Sequence, residues 1–174
     1  TAFLPGDLEA GALCRVGRAA RAYRCRVLVS ACLRLLCLGS VGSRVAKRLH
    51  AFGARVLAFD PAIDAEAAAL YEAEWVSMER LLAESDVLSL HAPVNDATRG
   101  LLGRDELARM QPGAFLVNTA RAALVDEDAL VEALESGALS GAALDVFAEE
   151  PPGSDHPLLR LPNVITTPHL GGNT

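Results

Sequence analysis

The chain has 174 residues, 51% of them hydrophobic and only 5% aromatic, with a formal net charge of −6. That length supports one domain with a real core, and the dominance of Ala, Leu and Val suits helices packed on a parallel sheet. The acidic balance argues against a nucleic-acid surface, and the apolar run Val27–Leu38, broken by Arg34, is too short to span a bilayer.

Charge and cysteine are unevenly spread. Residues 1–37 carry Arg15, Arg18, Arg21, Arg24, Arg26 and Arg34 against only Asp7 and Glu9. Cys14, Cys25, Cys32 and Cys37 all lie in the same stretch, without a CxxC pair or an accompanying His or acid cluster. They read as free thiols in a reducing compartment, and no metal site is expected. No signal peptide is evident, so a cytoplasmic protein is expected. Residues 1–32 show no convincing period and read as a divergent, poorly ordered lead-in or an out-of-frame stretch. Residues 33–174 read as a dinucleotide-binding domain.

From Leu33 onward short apolar runs alternate with amphipathic ones. The pattern predicts a strand over 33–38, a helix over 41–52, a strand over 55–59 and a helix over 65–71. A brief strand at 74–76 leads to a helix over 78–84 and a strand over 87–91. A helix over 104–110 precedes a strand over 114–118, and a helix over 127–136 follows. The last strands are 142–146 and 164–166. The helix over 127–136 shows the reasoning: Leu130, Val131 and Leu134 share a face, Asp126 can cap the start and Gly137 can end it. Such alternation implies an α/β, doubly wound parallel sheet of the Rossmann type, with ligands beyond the carboxyl ends of the strands.

The turn after the first strand reads Cys37-Leu38-Gly39-Ser40-Val41-Gly42. It matches the dinucleotide fingerprint at the second and third glycines and departs at the first. A side chain at Cys37 implies strain of about 1–2 kcal/mol if the turn needs positive φ. Such strain would either lower cofactor affinity or be absorbed by a variant turn. Asp60 follows the second strand, 18 residues after Gly42. There a carboxylate can accept from both ribose hydroxyls and repel a 2′-phosphate, which favours NAD over NADP. Near the C-terminus stands Pro168-His169-Leu170-Gly171-Gly172, and Glu150 precedes that histidine by 19 residues. An imidazole and a carboxylate at strand ends suit acid–base chemistry near neutral pH.

The stretches CLGSVGSRVAKRL, DVLSLHAPVNDATRGLL, MQPGAFLVNTARAALVDEDAL, SGAALDVFAEEPP and LPNVITTPHLGGNT occur in that order. From about Leu35 to Thr174 the chain resembles the nucleotide-binding domain of the D-isomer-specific 2-hydroxyacid dehydrogenases, the phosphoglycerate dehydrogenase branch in particular. The resemblance implies roles. Arg121 would hold the substrate carboxylate, a contact its guanidinium fork suits. His169 would be the general acid–base, hydrogen-bonded by Glu150. Asp145 would orient the nicotinamide carboxamide. Gly39, Ser40, Val41, Gly42, Ala92, Thr119, Ala120, Gly171 and Gly172 would line the cofactor cleft. Besides Cys37, the chain departs from the family at Ala122, where glycine is usual, and in lacking essentially all of a substrate domain.

The expected function is therefore an oxidoreductase, or its cofactor domain, passing hydride between NAD and a D-2-hydroxy acid such as a phosphoglycerate-like substrate. The alternative is a catalytically incomplete NAD-binding module. Another Rossmann enzyme, such as a methyltransferase, is a weaker third reading against which the order Arg121, Glu150, His169 speaks. The expected partners are a 2-hydroxy or 2-keto acid and a second copy of the chain in a homodimer, with neither nucleic acid nor membrane. His50 and His156 read as surface histidines, and His91 as a residue with a positional role at a strand end.

Overall fold

The computed structural model describes residues 32–172. The reading of the lead-in lies outside the described residues, except for Cys32, which opens the first strand. Seven strands alternate with helices: β1 (Cys32–Leu36), β2 (Arg55–Phe59), β3 (Glu74–Trp75), β4 (Val87–Leu90), β5 (Ala114–Asn118), β6 (Leu139–Leu144) and β7 (Val164–Thr166). All pairings are parallel, in the order β3-β2-β1-β4-β5-β6-β7. The order reverses between β1 and β4, which pair directly from Leu33–Val87 to Leu36–Leu90. In sheets of this order such a reversal is where ligands bind, beyond the carboxyl ends of the strands.

The helices are α1 (Gly42–Ala51), α2 (Ala65–Ala69), α3 (Met78–Ala83), α4 (Arg104–Ala108), α5 (Glu127–Glu135) and α6 (Pro157–Arg160). Three of them start on side-chain caps. Asp64 Oδ1 accepts from Ala67 N at 2.9 Å, Ser77 Oγ from Arg80 N at 3.3 Å, and Asp126 Oδ1 from Ala129 N at 3.1 Å. Each such cap is worth about 1 kcal/mol. Leucines of β2, β4, β5 and β6 meet those of α3 and α5 in the larger core cluster. Leu35, Ala46, Val56, Ala58 and Ala68 form a smaller one with α1 and α2. The strand alternation therefore positions both layers, as the sequence pattern requires.

Two boundaries move for identifiable reasons. β1 stops at Leu36, two residues short of the predicted end, because Cys37 takes φ +71°, which extended backbone cannot continue. β6 starts at Leu139, earlier than predicted, and runs through Gly141, where a Cβ would lie 2.7 Å from the Asn163 carbonyl oxygen. That glycine marks close approach to the segment leading into β7, not a break. The single turn of α6 and a 3₁₀ turn at Ala122–Leu124 fall outside the predicted elements.

Candidate active site

The loop leaving β1 is fixed from below. Cys37 N donates to Phe59 O at 2.8 Å, and Leu38 N donates to Asp60 Oδ2 at 2.9 Å. Asp60 Oδ1 accepts from Ala62 N at 2.8 Å, so the carboxylate at the end of β2 ties two loops together. Gly42 packs against the Cys37 carbonyl, which any Cβ would overlap. The turn is left-handed at Cys37, so the first-glycine position does require the conformation that glycine prefers. Burial, reinforced by the Asp60 charge, pushes the Cys37 thiol up to about 11. Gly39, Ser40 and Val41 are exposed at the start of α1, and their amides have no acceptor among the described residues. His91, past β4, is half-buried beside Gly42, and its Nε2 lies 3.1 Å from Ser89 Oγ. Burial lowers its imidazole from the ordinary value. Neighbouring Ala92 is 3% exposed and packs in the larger core.

Past β5, buried Asn118 organises the turn that carries Arg121. Its Oδ1 accepts from Ala120 N at 3.1 Å and its Nδ2 donates to Arg121 O at 2.9 Å. Arg121 is exposed, and its Nη1 donates to Ala120 O at 2.6 Å. Ala122 opens the 3₁₀ turn without positive φ, so the departure from glycine costs no backbone strain there.

The C-terminal turn is built on Asp145, which follows β6 and is 3% exposed. Its Oδ1 accepts from Leu170 N at 2.9 Å and from Thr167 Oγ1, and its Oδ2 accepts from Gly171 N at 2.7 Å. Three of roughly four acceptor positions on that carboxylate are taken. A Cβ at Gly171 would sit 2.9 Å from Asp145 Oδ2 and 3.9 Å from Thr119 Cβ, so residues 119, 145 and 171 meet at one point. This clamp holds His169 at φ +52° and presents it at the surface. Glu150 Oε2 lies 2.8 Å from His169 Nδ1, while Glu150 Oε1 accepts from Phe147 N at 3.0 Å. Of the two adjacent acids, Glu149 makes no hydrogen bond among the described residues, and Glu150 is the one that meets the imidazole.

A profile described as "D-isomer specific 2-hydroxyacid dehydrogenase, NAD binding domain" matches residues 10–171. The chain belongs to this family. It is 46% identical over 137 residues to a D-3-phosphoglycerate dehydrogenase of Archaeoglobus fulgidus, covering 79% of this chain and 26% of the relative. It is 40% identical over 156 residues to a hydroxypyruvate reductase of Thermotoga maritima, covering 88% of this chain and 50% of the relative. The NAD-complexed D-isomer specific 2-hydroxyacid dehydrogenase of Lactobacillus delbrueckii ssp. bulgaricus superposes with a TM-score of 0.78 at 33% identity, over 84% of this chain and 49% of that one. The chain thus spans between about a quarter and a half of the relatives it matches.

The family's cofactor is NAD, and the chain fits it. The free amides at the N-terminus of α1 have the chemistry that would hold a pyrophosphate, and Asp60 ends β2 with acceptor capacity beyond the two bonds it accepts. Around the imidazole the electrostatics are coherent. Burial alone raises the Glu150 carboxyl, but the His169 ring and the Phe147 amide outweigh it and hold it below the usual carboxylate value. Burial likewise raises Asp145, and Thr167, Gly171 and Leu170 together pull it lower. The sequence reading missed Thr167 and the engagement of Asp145 with the turn. It also placed His156 at the surface, whereas the ring is half-buried and faces Glu127 at 3.4 Å. No residues with metal-binding clustering occur among the described residues, and none of their helices is long and apolar enough to cross a membrane.

Proposed function

We propose that this domain serves an NAD-dependent dehydrogenase acting on a D-2-hydroxy acid, with His169 as general acid–base, Glu150 as its partner and Arg121 as the carboxylate clamp. The observation that carries the reading is the 2.8 Å contact between Glu150 Oε2 and His169 Nδ1 at the carboxyl end of the sheet. With Nδ1–H donated to the carboxylate, Nε2 keeps its lone pair. It takes the hydroxyl proton when the alcohol is oxidised and returns it when the keto acid is reduced. Arg121 fixes the substrate carboxylate through two parallel hydrogen bonds and so orients the reacting carbon. Gly39, Ser40, Val41 and Gly42 hold the pyrophosphate and Asp60 the ribose. Thr119, Ala120, Asp145, Gly171 and Gly172 border the nicotinamide end. Bound NAD supplies the two-electron chemistry.

A phosphoglycerate-like substrate suits the names of the relatives. A homodimer and a cytoplasmic location belong to the same proposal. The unpaired thiols of Cys32 and Cys37 support a reducing compartment.

The test combines NADH binding with turnover on a panel of 2-hydroxy and 2-keto acids. Trp75, the chain's single tryptophan, donates from Nε1 to Asp60 O at 3.2 Å and gives a fluorescence probe for binding. His169→Gln is expected to lower turnover by about 10²- to 10⁴-fold and leave NADH affinity nearly intact. Unchanged turnover would remove His169 from the chemistry. Binding without turnover in the unsubstituted protein would favour a non-catalytic NAD module.

A further inference from the structure

The loop that carries Glu150 is pinned at both ends by one carboxylate. Glu127 opens α5, and its Oε1 accepts from Ala148 N at 3.1 Å, at the start of the loop. Its Oε2 faces His156 Nε2 at 3.4 Å, at the end of the loop. The pair is well shielded, with side-chain exposures of 26% for Glu127 and 21% for His156. His156 also stands at the residue before α6, without a side-chain cap bond, and donates its backbone N–H to Gly153 O at 2.9 Å. Its ring stands edge-on to Phe147, with centroids 5.3 Å apart. Phe147 is the residue whose amide holds Glu150 Oε1. A continuous set of contacts therefore runs from α5 through Ala148, His156 and Phe147 to Glu150 and on to His169.

We propose that Glu127 and His156 are positioning residues for the Glu150–His169 pair. The claim rests on the acid–base reading given above and deepens it. Neither residue touches His169. A carboxylate that fastens residues 148 and 156 to the rigid start of α5 fixes the span between them, and Glu150 lies within that span. Without the tie the loop keeps only its own turns and the Phe147 packing. Glu150 then loses the fixed direction that places a proton on Nδ1 of His169 and leaves Nε2 free. The acidic run Asp126-Glu127-Asp128 is thus divided: Asp126 caps the helix, whereas Glu127 serves the site. His156 Nδ1 is buried without a partner among the described residues. Among the described residues, the ring's polar contact is therefore the one between Nε2 and Glu127 Oε2 at 3.4 Å.

The ring tautomer of His169, read by ¹⁵N resonance in the labelled chain about two units above the ordinary histidine pKa, tests this directly. Glu150→Ala defines the unheld ring and should shift His169 away from the Nδ1–H form. Glu127→Ala is expected to move the tautomer population at least halfway to that value. Glu127→Gln, which retains an acceptor for Ala148 N, should move it less. His156→Phe, which keeps an edge contact with Phe147 and needs no buried acceptor, should fall between wild type and Glu127→Ala. A loss of thermal stability with a wild-type tautomer in Glu127→Ala would make Glu127 merely structural and overturn the proposal. If Glu127→Ala does not fold, wild-type tautomers in both Glu127→Gln and His156→Phe would overturn it equally. A Glu150→Ala protein with an unmoved tautomer would sink the acid–base pair itself, a failure distinguishable from the first.

Discussion

Cys37 shows how one side chain can break a fingerprint without breaking the turn. It sits at φ +71°, 9% exposed, with its amide bonded to Phe59 O. The left-handed conformation costs about 1–2 kcal/mol for a residue with a Cβ. Replacing it by glycine relieves that strain, but it frees the unfolded chain and removes a small buried side chain, each worth up to about 1 kcal/mol. The terms nearly cancel, so Cys37→Gly is expected to unfold within about 1 kcal/mol of wild type. Cys37→Val is a different case, because a branched Cβ is a true outlier at this φ. Valine should lower stability by about 2–3 kcal/mol in urea titrations. The turn is held by Cys37 N to Phe59 O and Leu38 N to Asp60 Oδ2, bonds internal to the fold, so its strain belongs to folding and cancels from a binding equilibrium that keeps them. NADH affinity should therefore change far less than stability across this series. A Cys37→Val protein as stable as Cys37→Gly would refute the strain argument.

At the level of elements, most of the sheet was legible because every strand but the two-residue β3 is a short, mainly apolar run closed by a turn. β2, β5 and β7 lie where the periodicity put them, since nothing interrupts their side-chain alternation. β6 was harder because Ser140 and Gly141 look like a turn, and only the closeness of Asn163 explains them. The Glu150–His169 contact was suggested by residue type and family likeness, but Asp145's clamp and Glu127's reach across 21 residues leave no local pattern to read. β1 holds the one element-scale conflict. Arg34, in the middle of that strand, is 1% exposed, and its Nε and Nη1 have no partner among the described residues. Burial pulls its guanidinium below the ordinary arginine value, against the pull of Cys32, Glu84 and Asp86. Its single ion pair among the described residues, Nη2 to Glu84 Oε2, is 3.3 Å long, and Glu84 keeps Arg80 Nε at 2.7 Å if Arg34 is removed. Arg34→Leu is therefore expected to stabilise the domain by about 1–4 kcal/mol, a rise in Tm of roughly 5 °C or more by calorimetry. A lower Tm would mean that Arg34 satisfies something the apolar side chain cannot.

Across the whole molecule, the site depends on how the segment after β6 is fastened to the end of the sheet. The fastenings are carboxylates: Asp145 to the 167–171 turn, Glu150 to the Phe147 amide and to His169. Both carboxyls lie below their ordinary values in the folded chain. A depressed carboxyl binds fewer protons folded than unfolded, so its contribution is complete above the unfolded value, about 4. It is lost as pH falls from there through the lower folded values. The sheet itself is held by backbone bonds and leucine packing, which do not titrate. Acidification below about pH 4 should therefore loosen residues 145–172 before it unfolds β1, β4 and β5. Hydrogen exchange at the Leu170 and Gly171 amides should accelerate first, relative to amides of β4. Asp145→Asn keeps one acceptor but turns an N–H toward a neighbouring donor, and should cost about 2 kcal/mol at neutral pH. It should also flatten the dependence of stability on pH between about 5 and 3, because the group that titrates there is gone. An Asp145→Asn protein whose stability falls with acid as steeply as wild type would place the acid sensitivity in other carboxylates, not in this clamp.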